Sequence, residues 1–198
     1  MKVQKTQVLV LSIWLLFLSS SAMSQIDPYP DSIGIYFDEG ATENSQYISA
    51  PATVHAYLIA TRISSPSGIN SWGGGVSSYV QIFSTIRGDG ENAFENVTDF
   101  MQQFDVTFST PLLFSSAIVL ADLYIPITDE QAIDLFLEPL FGHGDTLFYT
   151  NGTDITSLQP SVPCINIPCY PARVASINSD GPVMSNIKNW GDIKSLYR

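Results

Sequence analysis

Residues 65–76 read SPSGINSWGGGV: four glycines, one proline and a lone tryptophan in twelve positions. A glycine-rich loop that cradles phosphate needs a helix N-terminus after its glycines and often a basic residue. Here the glycines run into VSSYVQIF, residues 76–83, which sets Val76, Val80 and Ile82 against Tyr79 and Phe83. That is strand alternation, with no lysine or arginine beside the glycines. The stretch therefore predicts a turn at Ser67–Gly68 and then a strand whose first half is flattened by glycine. Glycines within a strand mark a bulge or the close approach of another element. The expectation is that Trp72 or a docked C-terminal helix covers Gly73, Gly74 and Gly75. If that patch is open, it joins Trp72 and Tyr79 as the first candidate binding surface.

The same alternation recurs along the chain. It sets Ile33, Ile35 and Phe37 on one face, and Val54, Ala56, Leu58 and Ala60 on one face with His55, Tyr57, Ile59 and Ile63 opposite. Phe104, Val106 and Phe108 alternate, as do Ala117, Val119, Ala121, Leu123, Ile125 and Ile127. AIDLFLEPLF, TLFYT and RVASI are further strands, separated by the turn clusters RGDGEN, FGHGD, TNGTD and NSDGP. About eight to ten strands with this punctuation predict an all-β, antiparallel β-sandwich. Two segments carry helical spacing: NAFENVTDFMQQF, a loop or short helix, and a two-turn helix near the C-terminus with Trp190, Ile193 and Tyr197 on one face.

Residues 1–24 read as a secretory signal peptide: Lys2 and Lys5, then an apolar run from Val8 to Leu18, then Ala22-Met23-Ser24. The run is too short for a membrane anchor, which needs about 20 residues, and no later stretch is apolar enough to span. The expected organisation is a signal peptide at 1–24, one β-sandwich domain at 25–182 and a tail with a short helix at 183–198. Export makes the expected location extracellular or periplasmic. All 19 acidic residues follow the leader, with only six of the eight basic ones, so the exported part carries a net charge of −13. Such a surface repels polyanions, which excludes nucleic-acid binding.

In an oxidising compartment Cys164 and Cys169, in VPCINIPCYP, are expected to pair in a disulfide that pins a local turn. Asp89, Glu91 and Glu95 are weak calcium candidates, since Ala93 stands where a calcium loop needs its third ligand. No other metal site and no cofactor are expected. Arg87-Gly88-Asp89 spells an adhesion tripeptide, and Asn96 and Asn151 head glycosylation acceptor triplets. His143 and Asp145 share a loop, and His55 lies mid-strand. Nothing in the chain spells a hydrolase elbow, a zinc-protease helix or a Walker loop.

The order of features resembles that of cohesin-like domains, secreted bacterial β-sandwiches related in fold to some carbohydrate-binding modules. The resemblance rests on ATVHAYLIATRISSPSGINSWGGGV (residues 52–76). It continues through AIVLADLYIPITDEQAIDLFLEPLFGHGD (residues 117–145), similar to the closing strands of that fold. The ending WGDIKSLYR resembles the C-termini of uncharacterised secreted bacterial proteins. The chain departs from the pattern at Gly73–Gly75, where apolar alternation is expected. Cohesins bind dockerin modules, but no residue here assigns a dockerin partner.

The sequence thus points to a secreted, non-catalytic binding module with a protein or glycan partner. Exposed aromatics among Trp72, Tyr79, Tyr47, Tyr170 and Trp190 would serve as a sugar platform. A structural component of an extracellular assembly is the alternative. A glycan hydrolase using two of Asp89, Glu91, Asp122 and Glu138 is the third reading.

Overall fold

The computed structural model describes residues 29–94, 98, 100–142, 144, 146–161 and 170–179. The signal peptide, Cys164 and Cys169, Glu95, Asn96, His143, Asp145 and the C-terminal helix lie outside the described residues. The described residues form twelve strands and no helix.

One sheet pairs β1 (Ser32–Tyr36) with β3 (Ala52–Thr61), β3 with β8 (Ala117–Ile127) and β8 with β5 (Phe83–Ile86), all antiparallel. The other is centred on β4 (Ile69–Ser77). On one side β4 pairs with β7 (Met101–Leu112), which pairs onward with β6 (Gly90–Asn92). On its other side it pairs with β10 (Leu147–Thr150) along its first half and β9 (Ile133–Glu138) along its second. Beyond β9 lie β12 (Ala172–Ile177) and β2 (Ser45–Gln46), while β11 (Ile155–Pro160) joins β10 to β1 and so links the two sheets. The expected all-β, mainly antiparallel sandwich is present, with two parallel pairs in it, β1–β11 and β2–β12.

A single core lies between the sheets. Ile33, Ile35, Val54, Ala56, Leu58, Leu123 and Ile125 of the first face Trp72, Val76, Phe104, Val106, Leu135, Leu137 and Leu147 of the second. The expected alternation therefore marks the core face of most long strands. It fails in β8. The register slips between Leu58, opposite Ala121, and Ile59, opposite Val119, leaving Leu120 as the extra residue of a β-bulge. Ile118 and Leu120 then face the core, while Ala117 and Val119 turn outward onto a small cluster with Tyr36, Ala41 and Ile59. Ile63, expected on the outer face, is likewise in the core.

The opening stretch is rearranged too. Gly68 turns with φ +78° and its N–H donates to the Ser65 carbonyl at 3.2 Å, as the turn requires. The strand then starts at Ile69 and stops at Ser77, so Gly73–Gly75 are its centre rather than its start. VSSYVQIF is not one strand: residues 78–82 form an irregular link that leads into β5. NAFENVTDFMQQF is not helical in its described part; Thr98 bridges Met101 and β7 begins there.

Candidate functional site

The glycines of β4 are covered, though not by Trp72. Trp72 is wholly buried between the sheets, its ring 5.0 Å from that of Phe104. Alternation turns Gly74 inward with it, and Gly73 and Gly75 outward. A Cβ on Gly73 would meet the Phe148 ring at 2.5 Å and Leu140 Cδ2 at 2.9 Å; one on Gly75 would meet the amide of Gln103. The expected binding surface on Trp72 and Gly73–Gly75 is therefore closed: three missing side chains make room for neighbours that pack down on the strand. Tyr79 is 53% exposed in the link after β4, on a different surface from the buried Trp72. Burial, followed by the nearby charges of Asp134 and Asp129, pushes its hydroxyl pKa up. Tyr47 is exposed, and Tyr170 packs against the core.

What the glycines build is a cleft beside them. Gln103, 4% exposed on β7, lies against Gly75 and accepts a hydrogen bond from the Phe141 N–H at 2.9 Å. That bond pins the turn after β9, where Gly142 adopts φ +84°. Phe94, Met101, Pro139, Leu140 and Phe141 line a cleft of about 580 Å³ whose polar groups come from Gln103 and Glu138. The Glu138 carboxylate accepts from the Ser77 hydroxyl at 2.7 Å. Phe141 stands 83% exposed at the rim. A fixed polar base under apolar walls is the geometry of a binding cleft.

Asp122 and Glu138, two of the carboxylates considered for hydrolysis, lie on different sheets. Glu138 belongs to this cleft on the β4–β7–β9 side, whereas Asp122 lies on the outer face of the other sheet. Asp89 accepts from the Ser109 hydroxyl and from the Thr110 N–H, and these hydrogen bonds, the Ser109 one foremost, lower its pKa. Glu91 sits on β6. Among the described residues no group of three or more histidine, cysteine or acidic side chains is placed to hold a metal. The tripeptide at 87–89 has both charged ends engaged, Asp89 as above and Arg87 by Asp122 and Glu39.

Sequence reasoning missed that engagement of Arg87. Asp122, its side chain 9% exposed, accepts from Arg87 through Nε and through Nη2 at 2.7 Å, and pairs with His55 Nε2 at 2.8 Å. Burial pushes the Asp122 carboxyl up, but the hydrogen bonds from Arg87 and His55 together with their charges outweigh it and hold the pKa below the ordinary aspartate value. A lowered folded-state value stabilises the fold above the unfolded-chain pKa near 4, and the contribution is lost as pH falls through the folded value. Arg87→Gln is therefore expected to lower stability at pH 7. Its deficit against the wild type should shrink as pH drops below about 4. Urea unfolding of both proteins from pH 7 to pH 2.5 checks this; a deficit that widens on acidification contradicts it.

No family model matches the chain, and no curated protein does. Solved structures match in fold. The second type II cohesin module from the ScaA scaffoldin of Acetivibrio cellulolyticus aligns with a TM-score of 0.50 at 13% identity, over 77% of this chain and 99% of that one. The sixth cohesin of scaffoldin B from Acetivibrio cellulolyticus, solved with a Cel5 dockerin mutant, aligns with a TM-score of 0.48 at 10% identity, over 77% and 100%. The seventh ScaB type I cohesin from Pseudobacteroides cellulosolvens gives 0.48 at 10%, over 77% and 94%. The likeness at these identities is one of fold: the described part of the chain is a cohesin-like β-sandwich.

Proposed function

We propose that the chain is an exported, non-catalytic module that holds a protein partner in the cleft between β7, β9 and the turn at 139–142. The observation that carries this reading is Phe141, 83% exposed beside an apolar cleft whose floor is fixed by the Gln103 hydrogen bond. Exposed aromatics beside a pocket are where binding energy concentrates at protein interfaces. The separation of Asp122 from Glu138 supports a binding role over a hydrolytic one, and the leader at 1–24 supports export. The acidic body favours a partner with a basic rim around its apolar anchor. Among the described residues no helix is long and apolar enough to cross a membrane.

The test is retention of proteins from the extracellular fraction of the source organism on the immobilised domain. Phe141→Ser should unfold like the wild type, because the ring is in water, yet weaken binding of any retained partner by about 2 kcal/mol, some thirtyfold. A partner bound equally by both proteins would show that the cleft is not the site.

A further inference from the structure

The outer face of the β1–β3–β8–β5 sheet carries a second constellation, remote from the cleft. Register sets Phe83, Tyr124 and His55 in one row across β5, β8 and β3, with Thr85, Asp122 and Tyr57 in the next. Their chain neighbours Val54, Ala56, Leu123 and Ile125 point into the core, so this row faces water, with Phe83 48% and Tyr124 38% exposed. The far half of the same face is occupied by the buried cluster of Tyr36, Ala41 and Ile59. Outer faces of sandwiches are normally polar, so an aromatic row there calls for an explanation.

We propose that this row is a binding strip for a neutral saccharide. Three features select that ligand. Phe83 has no ring stacked on it among the described residues, so its apolar surface is open to the C–H face of a pyranose. The Tyr124 and His55 rings stack on each other, 4.7 Å apart and 10° from parallel, which fixes the two rings in the row. The hydroxyls of Thr53, Thr85 and Tyr124 have no hydrogen-bond partner among the described residues, and a sugar hydroxyl can donate to or accept from each.

Charge decides against an ionic ligand. Arg87 is held by Asp122 and Glu39, so the strip offers no unneutralised cation to an acidic sugar, and the exported chain is strongly acidic. Geometry separates the strip from the cleft. The strip is the outer face of three paired strands, whereas the cleft is a pocket with an exposed aromatic at its rim and is the better seat for a protein anchor. Neighbouring strands lie about 4.8 Å apart, close to the length of one pyranose unit, so the three-strand row suits a short extended oligosaccharide.

The proposal does not rest on the cleft, and its test separates the two. Isothermal titration with neutral β-1,4-linked glucan, mannan and xylan hexasaccharides, and with an acidic α-1,4-galacturonan hexasaccharide, is run on the whole domain. At least one neutral hexasaccharide should bind, Phe83→Ala and Thr85→Val should each weaken it about tenfold, and Phe141→Ser should leave it unchanged. Both strip positions are exposed, so their thermal unfolding should match the wild type; Tyr124→Phe, which removes only the hydroxyl, is the further control and should weaken binding as well. No neutral hexasaccharide binding at millimolar concentration, binding by the galacturonan alone, or wild-type affinity in Phe83→Ala would each overturn the proposal. So would loss of sugar binding in Phe141→Ser.

Discussion

Trp72→Ala is expected to destabilise the domain by about 3–5 kcal/mol, the range for emptying a large aromatic site in a core. The ring is wholly buried, tilted against Phe104, and surrounded by side chains from both sheets, so its loss leaves a cavity in the core. Domains carry a net stability of about 5–15 kcal/mol, which makes this about a fifth of the total or more. Trp72→Phe should behave differently. The indole N–H is buried with no acceptor among the described residues, and a buried unpaired donor costs about 1–3 kcal/mol. Phenylalanine removes that penalty while keeping most of the apolar surface, so it should lose much less than alanine. Denaturant titration of the three proteins decides the matter. Equal losses for Phe and Ala would mean that the indole N–H is satisfied, and a loss under about 1 kcal/mol for Ala would mean that the ring is not in the core.

The alternating strands were legible because half-buried strands impose period two, and Ile33, Val54, Val106, Leu123 and Leu135 all lie where that period puts them. What broke the reading was a change of phase or of partner. The bulge at Leu120 moves Ala117 and Val119 to the other face, and nothing in AIVLADLYI marks the extra residue. The strands β2, β6 and β11 are short or polar, so they carry little periodic signal, and two of them make the parallel pairs. The cleft needed a hydrogen bond between positions 103 and 141, and the outer-face cluster needed the register of β3, β5 and β8. One signal was available and went unread: Asp122 interrupts an apolar strand, and Arg87 is one of only two basic residues between 25 and 172. In so acidic a chain, a buried carboxylate and a scarce cation have good reason to meet.

Gly74→Val should be the more instructive failure, because strand propensity predicts the opposite. Valine is favoured over glycine in strands, on a scale spanning about 1 kcal/mol. At Gly74, however, a Cβ would sit 2.5 Å from Leu147 Cδ2 and 3.2 Å from its Cγ. Leu147 is 1% exposed and packed in the core, so it has nowhere to swing. Overpacking of this kind costs about 1–3 kcal/mol, which outweighs the propensity gain. The expected result is net destabilisation, partly relieved in the double variant Gly74→Val, Leu147→Ala, where the valine fills space the leucine gave up. Gly73→Ala should act elsewhere. Its Cβ would press on Phe148, which is only half-buried and can tilt into water, and on Leu140, which lines the cleft. Its effect should fall on partner binding more than on folding. If Gly74→Val proves as stable as the wild type, or if adding Leu147→Ala only deepens the loss, the glycine is not there for close packing. In that case the three consecutive glycines of SPSGINSWGGGV, Gly73–Gly75, need an explanation other than the side chains that lie on them.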